Sequence, residues 1–214
     1  MTDKEFIKNI ITLYRKARVP TFPFENIKRG KSRSISSEAE DLFAYYISNI
    51  INDKVEILID QPISFILFGK SKTIYADIAI IKNNVVYQIW DLKTDLGWKR
   101  DSFIDFCKDK INLVNGAKLQ LAKLKDGEYK TERHLTFSDN LTFNIVVISN
   151  KNISAAKGER NIIETKNLEN VGVYFLTSGI HPNVYGIGID ELVNSITFNE
   201  EDFTKLRKRI KTNN

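Results

Sequence analysis

The chain has 214 residues, 42% of them hydrophobic and 28% charged, so it is long enough to bury a core without disulfides or metal ions. Its net charge of +5 leans toward a polyanionic partner such as nucleic acid, and its single cysteine, Cys107, excludes an internal disulfide and a multi-cysteine zinc site. The N-terminal residues carry acids, unlike a secretory signal, and no apolar run approaches about 20 residues. We therefore expect a cytoplasmic protein with no membrane partner.

Two helices are predicted in the first fifty residues. Residues 4–17 repeat apolar side chains at helical spacing, and residues 19–34 form a loop that ends in the basic run KRGKSRS. The second helix is predicted to begin at Ser36 or Ser37, because Ser37 and Glu40 match the capping-box pattern.

The rest of the chain alternates strand and helix patterns. We predict strands at 55–59, 63–68, 74–81 and 85–93, with turns at 69–72 and 83–84. A helix is predicted over roughly 101–124, with Cys107 as a core residue, followed by strands at 141–149 and 171–176 and a short basic helix at the C-terminus. This order predicts an α/β fold, with a mixed sheet flanked by helices.

Charged residues interrupt two of the predicted strands, where burial would be costly. Asp91 and Lys93 lie two residues apart at the end of the run 85–93, so their side chains point to the same side of the strand. Asp77 stands between two apolar residues of the preceding strand. Alone, Asp91 and Lys93 are explained by a partly exposed ion pair. A second acid in the neighbouring strand favours a site, because buried charge must be paired or bind a metal.

The spacing of these acids makes a specific prediction about the hairpin that joins the two strands. A two-residue loop with a regular ladder would place Asp77 opposite Trp90 and turn Asp91 to the other side of the sheet. A three-residue loop, or a β-bulge, would place Asp77 opposite Asp91. Because opposed carboxylates repel unless a cation lies between them, a functional pair requires the bulge or the odd loop.

A hard cation held by two carboxylates and open to water suits phosphoryl chemistry. Mg²⁺ keeps several of its waters and bridges to phosphate oxygens, which polarises the phosphate and helps to generate hydroxide. A neighbouring lysine can orient or deprotonate the attacking water, or stabilise the charged transition state.

Asp77, followed on the next strand by Asp91-Leu92-Lys93 and preceded by a helix bearing glutamate, resembles the PD-(D/E)xK nuclease superfamily. That superfamily contains most type II restriction endonucleases, several repair nucleases and junction resolvases. Its core is helix, three strands, helix, strand, and the elements predicted between about residues 36 and 150 follow the same general order of helix, strands, helix, strand. Ala76 replaces the proline of the pattern. The resemblance implies one nuclease domain over 1–214, with a restriction endonuclease-like αβββαβ core and the segments 4–17 and 199–214 outside that core.

The resemblance also implies roles for individual residues. Asp77 would be the central ligand of a Mg²⁺ ion, for which Mn²⁺ would substitute. Asp91 would be the second ligand and the carbonyl of Leu92 a third. Lys93 would act on the attacking water.

The helix carboxylate of the resemblance has two candidates. Glu40 precedes apolar residues at i+3, i+4 and i+7 and so lies over the buried face, whereas Glu38 is expected to be more exposed. We predict Glu40, with Glu38 as the alternative; a capping-box role would also explain Glu40.

Basic residues flank the predicted site in the sequence. Arg33 ends the basic run before the second helix, and Lys99 and Arg100 follow the motif. Each group alone is typical of a solvated surface, but together they would suit contacts to DNA phosphates.

The leading hypothesis is a Mg²⁺-dependent endonuclease that cuts duplex DNA, of the type II restriction kind, acting as a homodimer because each chain has one site. A structure-specific repair or junction nuclease on the same core, and a non-catalytic nucleic-acid-binding protein, are the alternatives.

Overall fold

The computed structural model describes residues 1–97, 99, 101–125 and 131–212. Its helices are α1 (Asp3–Arg18), α2 (Ser36–Ser48), α3 (Phe103–Ala117), α4 (Ala155–Thr165), α5 (Ile189–Ser195) and α6 (Glu200–Lys211). Its strands are β1 (Glu56–Leu67), β2 (Lys70–Lys82), β3 (Val85–Lys93), β4 (Leu121–Lys125), β5 (Glu132–Ser149), β6 (Val171–Ser178) and β7 (Thr197–Phe198). None of the described helices is both long and apolar enough to cross a bilayer.

The described strands form one mixed sheet in the order β3-β2-β1-β4-β5-β6-β7, and helices flank it, which confirms the predicted α/β class. β3 pairs with β5 as well as with β2, so β1 to β5 close into a ring. β3, β5 and β6 are parallel to one another. The C-terminal ends of these three strands therefore lie at the same end of the sheet, and β3 finishes there with Lys93.

Two apolar clusters form the core. The first packs α1, α2, α5 and α6 against one face of the sheet around the fully buried Trp90. The second lies between α3 and the strands of the ring. The Trp90 indole N–H donates to Gln88, whose amide in turn donates to the carbonyls of Arg209 and Thr212 at the end of α6. Helices α1 and α6, outside the expected nuclease core, thus complete the same core.

Two of the strands predicted in the middle of the chain are one strand. The predicted strands 55–59 and 63–68 form the single strand β1, which pairs with β2 on both sides of Asp60. The turn between β1 and β2 is Phe68-Gly69 rather than 69–72, since Leu67 already pairs with Lys70. The order from α2 to α3 is therefore helix, three strands, helix.

The predicted helix 101–124 is too long at its C-terminal end. α3 ends at Ala117, and the chain reverses through Leu119, whose φ is 61°. The following residues form β4, with Ala122 and Leu124 buried and the residues between them exposed. This alternation has the period of a strand, and pairing with β1 and β5 overrides the helix propensity of the same residues.

The predicted capping box of α2 does not form. Ile35 occupies the N-cap position and makes no side-chain cap. The backbone N–H of Ser36 donates instead to the hydroxyl of Ser34. The capping explanation of Glu40 is therefore wrong.

Candidate active site

The hairpin between β2 and β3 has a two-residue turn and a β-bulge. The bulge leaves Tyr87 without a partner and shifts the register by one residue. Beyond it Ile78 pairs with Trp90, so the next residues along, Asp77 and Asp91, lie across from each other. The predicted bulge is confirmed, and it brings the two carboxylates to the same side of the sheet.

The main-chain pairing of β2 with β3 ends before Asp77, and a hydrogen bond to the Asp77 side chain takes its place. Asp77 Oδ2 accepts a hydrogen bond of 2.6 Å from the backbone N–H of Leu92. Because the N–H and C=O of a strand residue point to the same side, the carbonyl of Leu92 also faces Asp77. The backbone at Leu92 thus lies beside both carboxylates.

Lys93 lies between the two aspartates. Its Nζ donates to Asp91 Oδ1 over 2.6 Å and is 4.0 Å from Asp77 Oδ2. The Asp91 side chain is only 12% exposed, and its second oxygen, Oδ2, is buried without a hydrogen-bond partner. A buried carboxylate oxygen normally has a partner, so Oδ2 is an unsatisfied acceptor.

The surroundings of Asp77 raise its pKa to about 7. Burial is the largest cause, and the negative charge of Asp91 adds to it. The positive charge of Lys93 and the Leu92 N–H oppose the rise. Asp77 therefore holds a proton in much of the population near neutral pH, unless a cation replaces that proton.

Glu40 is directed toward this group and Glu38 is not. Glu38 is exposed, whereas Glu40 is half-buried. The pKa of Glu40 is raised, first by burial and then by the charge of Asp60, and the charges of Lys93 and Asp91 also reach it. Of the two helix carboxylates, Glu40 is the one that interacts electrostatically with the strand residues.

Asp60 is a member of this group that the sequence analysis missed. β1 pairs with β2 through Ile59 and Ile78 on one side and Gln61 and Ala76 on the other, so Asp60 lies across from Asp77. Its φ of 48° interrupts the regular conformation of β1 between the two strands predicted at 55–59 and 63–68. The one feature of the sequence that could have identified Asp60 is the position of an aspartate between two predicted strands. Three aspartates therefore lie in a row across three adjacent strands.

Two lysines of the α3 region add positive charge. The Nζ atoms of Lys99 and Lys110 lie 5.1 and 4.7 Å from the ring centre of Phe106. Burial lowers the pKa of Lys110, and the charges of Asp91 and Lys93 also act on it. Lys110 was not predicted, because on an amphipathic helix it looks like any solvated lysine.

Cys107 is a core residue, as predicted. It is fully buried on α3, and burial raises the pKa of its thiol to about 12. The thiolate needed for nucleophilic chemistry is therefore not populated near neutral pH.

Two further residues, Arg33 and Arg100, were predicted to bind DNA. The guanidinium of Arg33 donates to the Thr21 hydroxyl and, over 3.2 Å, to the carbonyl of Lys16. It therefore stabilises the C-terminal end of α1 and is not directed toward the aspartates. Arg100 lies outside the described residues.

A buried histidine lies beside the segment that follows Lys93. His181 is 6% exposed; its Nδ1 accepts from the backbone of Asn183, and its Nε2 lies 3.4 Å from Asp95 Oδ2. The contact with His181 lowers the pKa of Asp95, although burial opposes it. The two side chains thus lie close together where the segment after β3 meets the loop after β6, although His181 Nε2 forms no hydrogen bond among the described residues.

The residues present fit a cation that takes few protein ligands. Among the residues that the structure describes, no three carboxylate, histidine or cysteine side chains are grouped closely enough to hold a metal by themselves. Asp77, Asp91 and the carbonyl of Leu92 would leave half of the octahedral positions to water, which suits Mg²⁺. The unsatisfied Oδ2 of Asp91 is the observation that favours such a ligand.

Comparison with known proteins identifies no relative: no family model, no curated protein and no solved structure matches the chain.

Proposed function

We propose that the protein is a Mg²⁺-dependent endonuclease that hydrolyses phosphodiester bonds of duplex DNA, of the type II restriction kind. The observation that carries the proposal is the set of three side chains at the end of β3. Asp91 lies across from Asp77 because of a bulge, keeps an unsatisfied buried oxygen, and holds Lys93 Nζ at 2.6 Å. An ion pair with a purely structural role would not require a second, largely buried aspartate beside it.

The order of the helices and strands supports the proposed relation to the PD-(D/E)xK superfamily. Helix α2, strands β1, β2 and β3, helix α3 and strand β5 occur in the order of the PD-(D/E)xK core, and β4 is an addition before β5. The motif residues lie on the second and third of these strands, as the resemblance implies.

Asp77, Asp91 and the carbonyl of Leu92 would hold the Mg²⁺, and Mn²⁺ would substitute. When bound, the cation supplies positive charge that polarises a phosphate ester and favours ionisation of water. The ammonium of Lys93, oriented by Asp91, would position the attacking water or stabilise negative charge on the phosphate. Glu40 would accept hydrogen bonds from water on the side of α2.

Substrate contacts and assembly follow from the same proposal. Lys110, whose charge interacts with those of Asp91, Lys93 and Lys99, and Lys99 itself would contact DNA phosphates. Arg33 and Arg100 remain predicted DNA contacts. Cleavage of both strands requires two sites, so we propose a homodimer that acts in the cytoplasm.

The test is cleavage of a heterogeneous phage DNA with Mg²⁺, beside an EDTA control and the variant Lys93→Ala. Discrete bands are expected, and Lys93→Ala is expected to reduce the rate by roughly 100-fold or more, as removal of a group that acts on the water does. Lys123→Ala is the matched control, because Lys123 is an exposed lysine of β4 that is paired with the exposed Glu132.

Other outcomes would redirect the proposal. A smear would indicate a nonspecific or repair nuclease, and cleavage confined to nicked, flapped or four-way DNA would indicate a structure-specific one. Intact DNA of every form, with either metal, would contradict enzymatic activity. Equal rates for Lys93→Ala and Lys123→Ala would contradict the assigned site.

A further inference from the structure

The first half of β6 has a free edge. β7 pairs with β6 only at Thr177 and Ser178, whereas β5 covers the other side of β6 from Val171 onward. Backbone groups alternate in direction along a strand, and the Phe175 N–H points away from β5 and donates a hydrogen bond of 2.8 Å to Asp202 Oδ2. The N–H and C=O of Val173 face the same edge.

Among the described residues, none forms a hydrogen bond with the Val173 backbone on that edge. Asp202, on α6, protects the edge at Phe175 only, and Val173 is half-buried beside it. A free strand edge offers main-chain donors and acceptors to another chain, and proteins usually block such edges. This edge is instead open to a cleft.

The cleft lies between the end of α4, the start of β6 and α6, and its volume is about 520 Å³. That size is within the range of about 300–1,000 Å³ typical of ligand sites. It is at the N-terminal end of β6, whereas Asp91 and Lys93 lie at the C-terminal end of the parallel strand β3. The cleft is therefore separate from the candidate active site.

The cleft is positively charged. Its lining includes four cations, Lys166, Lys205, Lys208 and Arg209, and two acids, Glu201 and Asp202. Lys205 is paired with both acids. Arg209 contacts the Tyr174 hydroxyl. Among the described residues Lys166 and Lys208 form no ion pair, so two cations remain to meet an anionic group.

We propose that this cleft binds an extended acidic peptide segment of a partner protein, which adds as a strand to the edge of β6 at Val173. Main-chain hydrogen bonds to Val173 would supply affinity, and Lys166 and Lys208 would select acidic side chains. The edge favours a peptide over a nucleic acid, because a nucleic acid has no repeating N–H and C=O groups to pair with a strand. The proposal is independent of nuclease activity.

The first measurement is fluorescence anisotropy with a labelled, acetylated hexapeptide of alternating glutamate and valine. Binding is expected to weaken by roughly tenfold or more in the double variant Lys166→Glu/Lys208→Glu. Lys151→Glu/Lys211→Glu is the matched control, since it makes the same change in net charge outside the cleft and should bind as the wild type does. The same peptide N-methylated at alternate residues, in either phase, tests the main-chain hydrogen bonds and should bind at least roughly tenfold more weakly in one phase.

Amide hydrogen exchange supplies a readout specific to the edge. The Val173 amide is expected to become protected when the peptide binds, while the Phe175 amide, already bonded to Asp202, should change little. Binding without protection of Val173, or equal binding of the methylated peptides, would overturn strand addition. Absence of binding, or displacement of the peptide from the cleft by a short DNA duplex with a higher affinity, would overturn the proposed partner class.

Discussion

At the scale of single residues, the site is defined by two carboxylates that the fold holds close together in largely buried surroundings. Asp77 and Asp91 face each other on adjacent strands, and Lys93 compensates only part of their repulsion. The excess is visible in Asp77, whose pKa is raised to about 7 because burial and Asp91 outweigh Lys93. Additional positive charge at this point would therefore stabilise the folded protein.

The raised pKa of Asp77 predicts how the substitution Asp77→Asn changes stability in the absence of metal. Folded protein keeps a proton on Asp77 up to about pH 7, whereas an unfolded aspartate loses it near 3.8. The folded state binds more protons between these values, so its stability falls as pH rises through them. Asparagine removes the titration and keeps an oxygen for the Leu92 N–H. The variant should be more stable than the wild type at pH 8, by on the order of 1–3 kcal/mol, and similar to it near pH 4.

Urea denaturation at the two pH values, with EDTA present, measures this difference. Glu38→Gln is the control, because Glu38 is an exposed acid on α2. A variant that is less stable than the wild type at pH 8 would contradict the raised pKa of Asp77.

A second prediction at this scale concerns Asp60. It lies across from Asp77, and its charge acts on Glu40. Asp60→Asn removes one negative charge, and asparagine tolerates the φ of 48° as aspartate does. If a cation binds beside Asp77, its affinity should fall by roughly tenfold, as expected for loss of a nearby carboxylate. Calorimetric titration with Mg²⁺ tests this, with Asp139→Asn, an exposed aspartate on β5, as the control. Unchanged affinity would make Asp60 only a residue of the strand break.

At the scale of elements, the two hairpins of β2 use tight turns with left-handed residues. Asn83 and Asn84 have φ of 52° and 61°, and asparagine accepts this conformation readily. Asn84 also accepts hydrogen bonds from Arg133, at 2.7 and 2.9 Å. The turn is therefore strongly specified, and the bulge that follows it sets the register of the site.

The opposite hairpin predicts a stabilising substitution. Phe68 occupies the first position of the turn with a φ of 49°, which is unfavourable for a bulky side chain, and it is 89% exposed. Phe68→Asn forms an Asn-Gly turn with Gly69, the sequence that this turn type prefers. The free energy of unfolding should rise by about 0.5–1.5 kcal/mol.

Chemical denaturation of Phe68→Asn beside Phe68→Ala measures the effect. Alanine removes the exposed ring without gaining tolerance of the left-handed conformation, so its stability should change less than that of the asparagine variant. A destabilised Phe68→Asn would show that the ring makes a contact in solution that its exposure does not indicate.

At the scale of the whole molecule, the segments outside the predicted nuclease core are part of its folding unit. α1 and α6 contribute fully buried side chains to the cluster around Trp90, namely Phe6, Ile7, Ile10, Ile11, Phe203, Leu206 and Ile210. Each is worth about 1.5–3 kcal/mol of burial, and together they match or exceed the whole stability of a typical domain, about 5–15 kcal/mol.

We therefore expect the fragment 36–150 not to fold by itself. Circular dichroism and thermal denaturation should show no cooperative transition for the fragment, in contrast to the full chain. Removal of residues 213–214, which follow α6, is the control truncation and should leave the transition in place. A cooperative transition in 36–150 would show that the expected core is a domain of its own.

The sequence by itself determined the local features of this protein. Sequence patterns located α1, α2, α6, β3 and β6, because burial of one face leaves a pattern in the side chains. The spacing of Asp77 and Asp91 about the Asn83-Asn84 turn limited a facing pair to a three-residue loop or a bulge, because pairing across a short hairpin follows from counting residues. The structure has the bulge.

Only the tertiary structure decided what depends on distant parts of the chain. The strand β4 and the closure of β3 onto β5 are fixed by partners that lie far along the sequence. Asp60 joins the site through its register with β2, and Lys110 joins it through the packing of α3. The pKa of Asp77 and the free edge of β6 likewise arise from desolvation and missing partners. These are properties of the assembled surroundings, and no short stretch of sequence contains them.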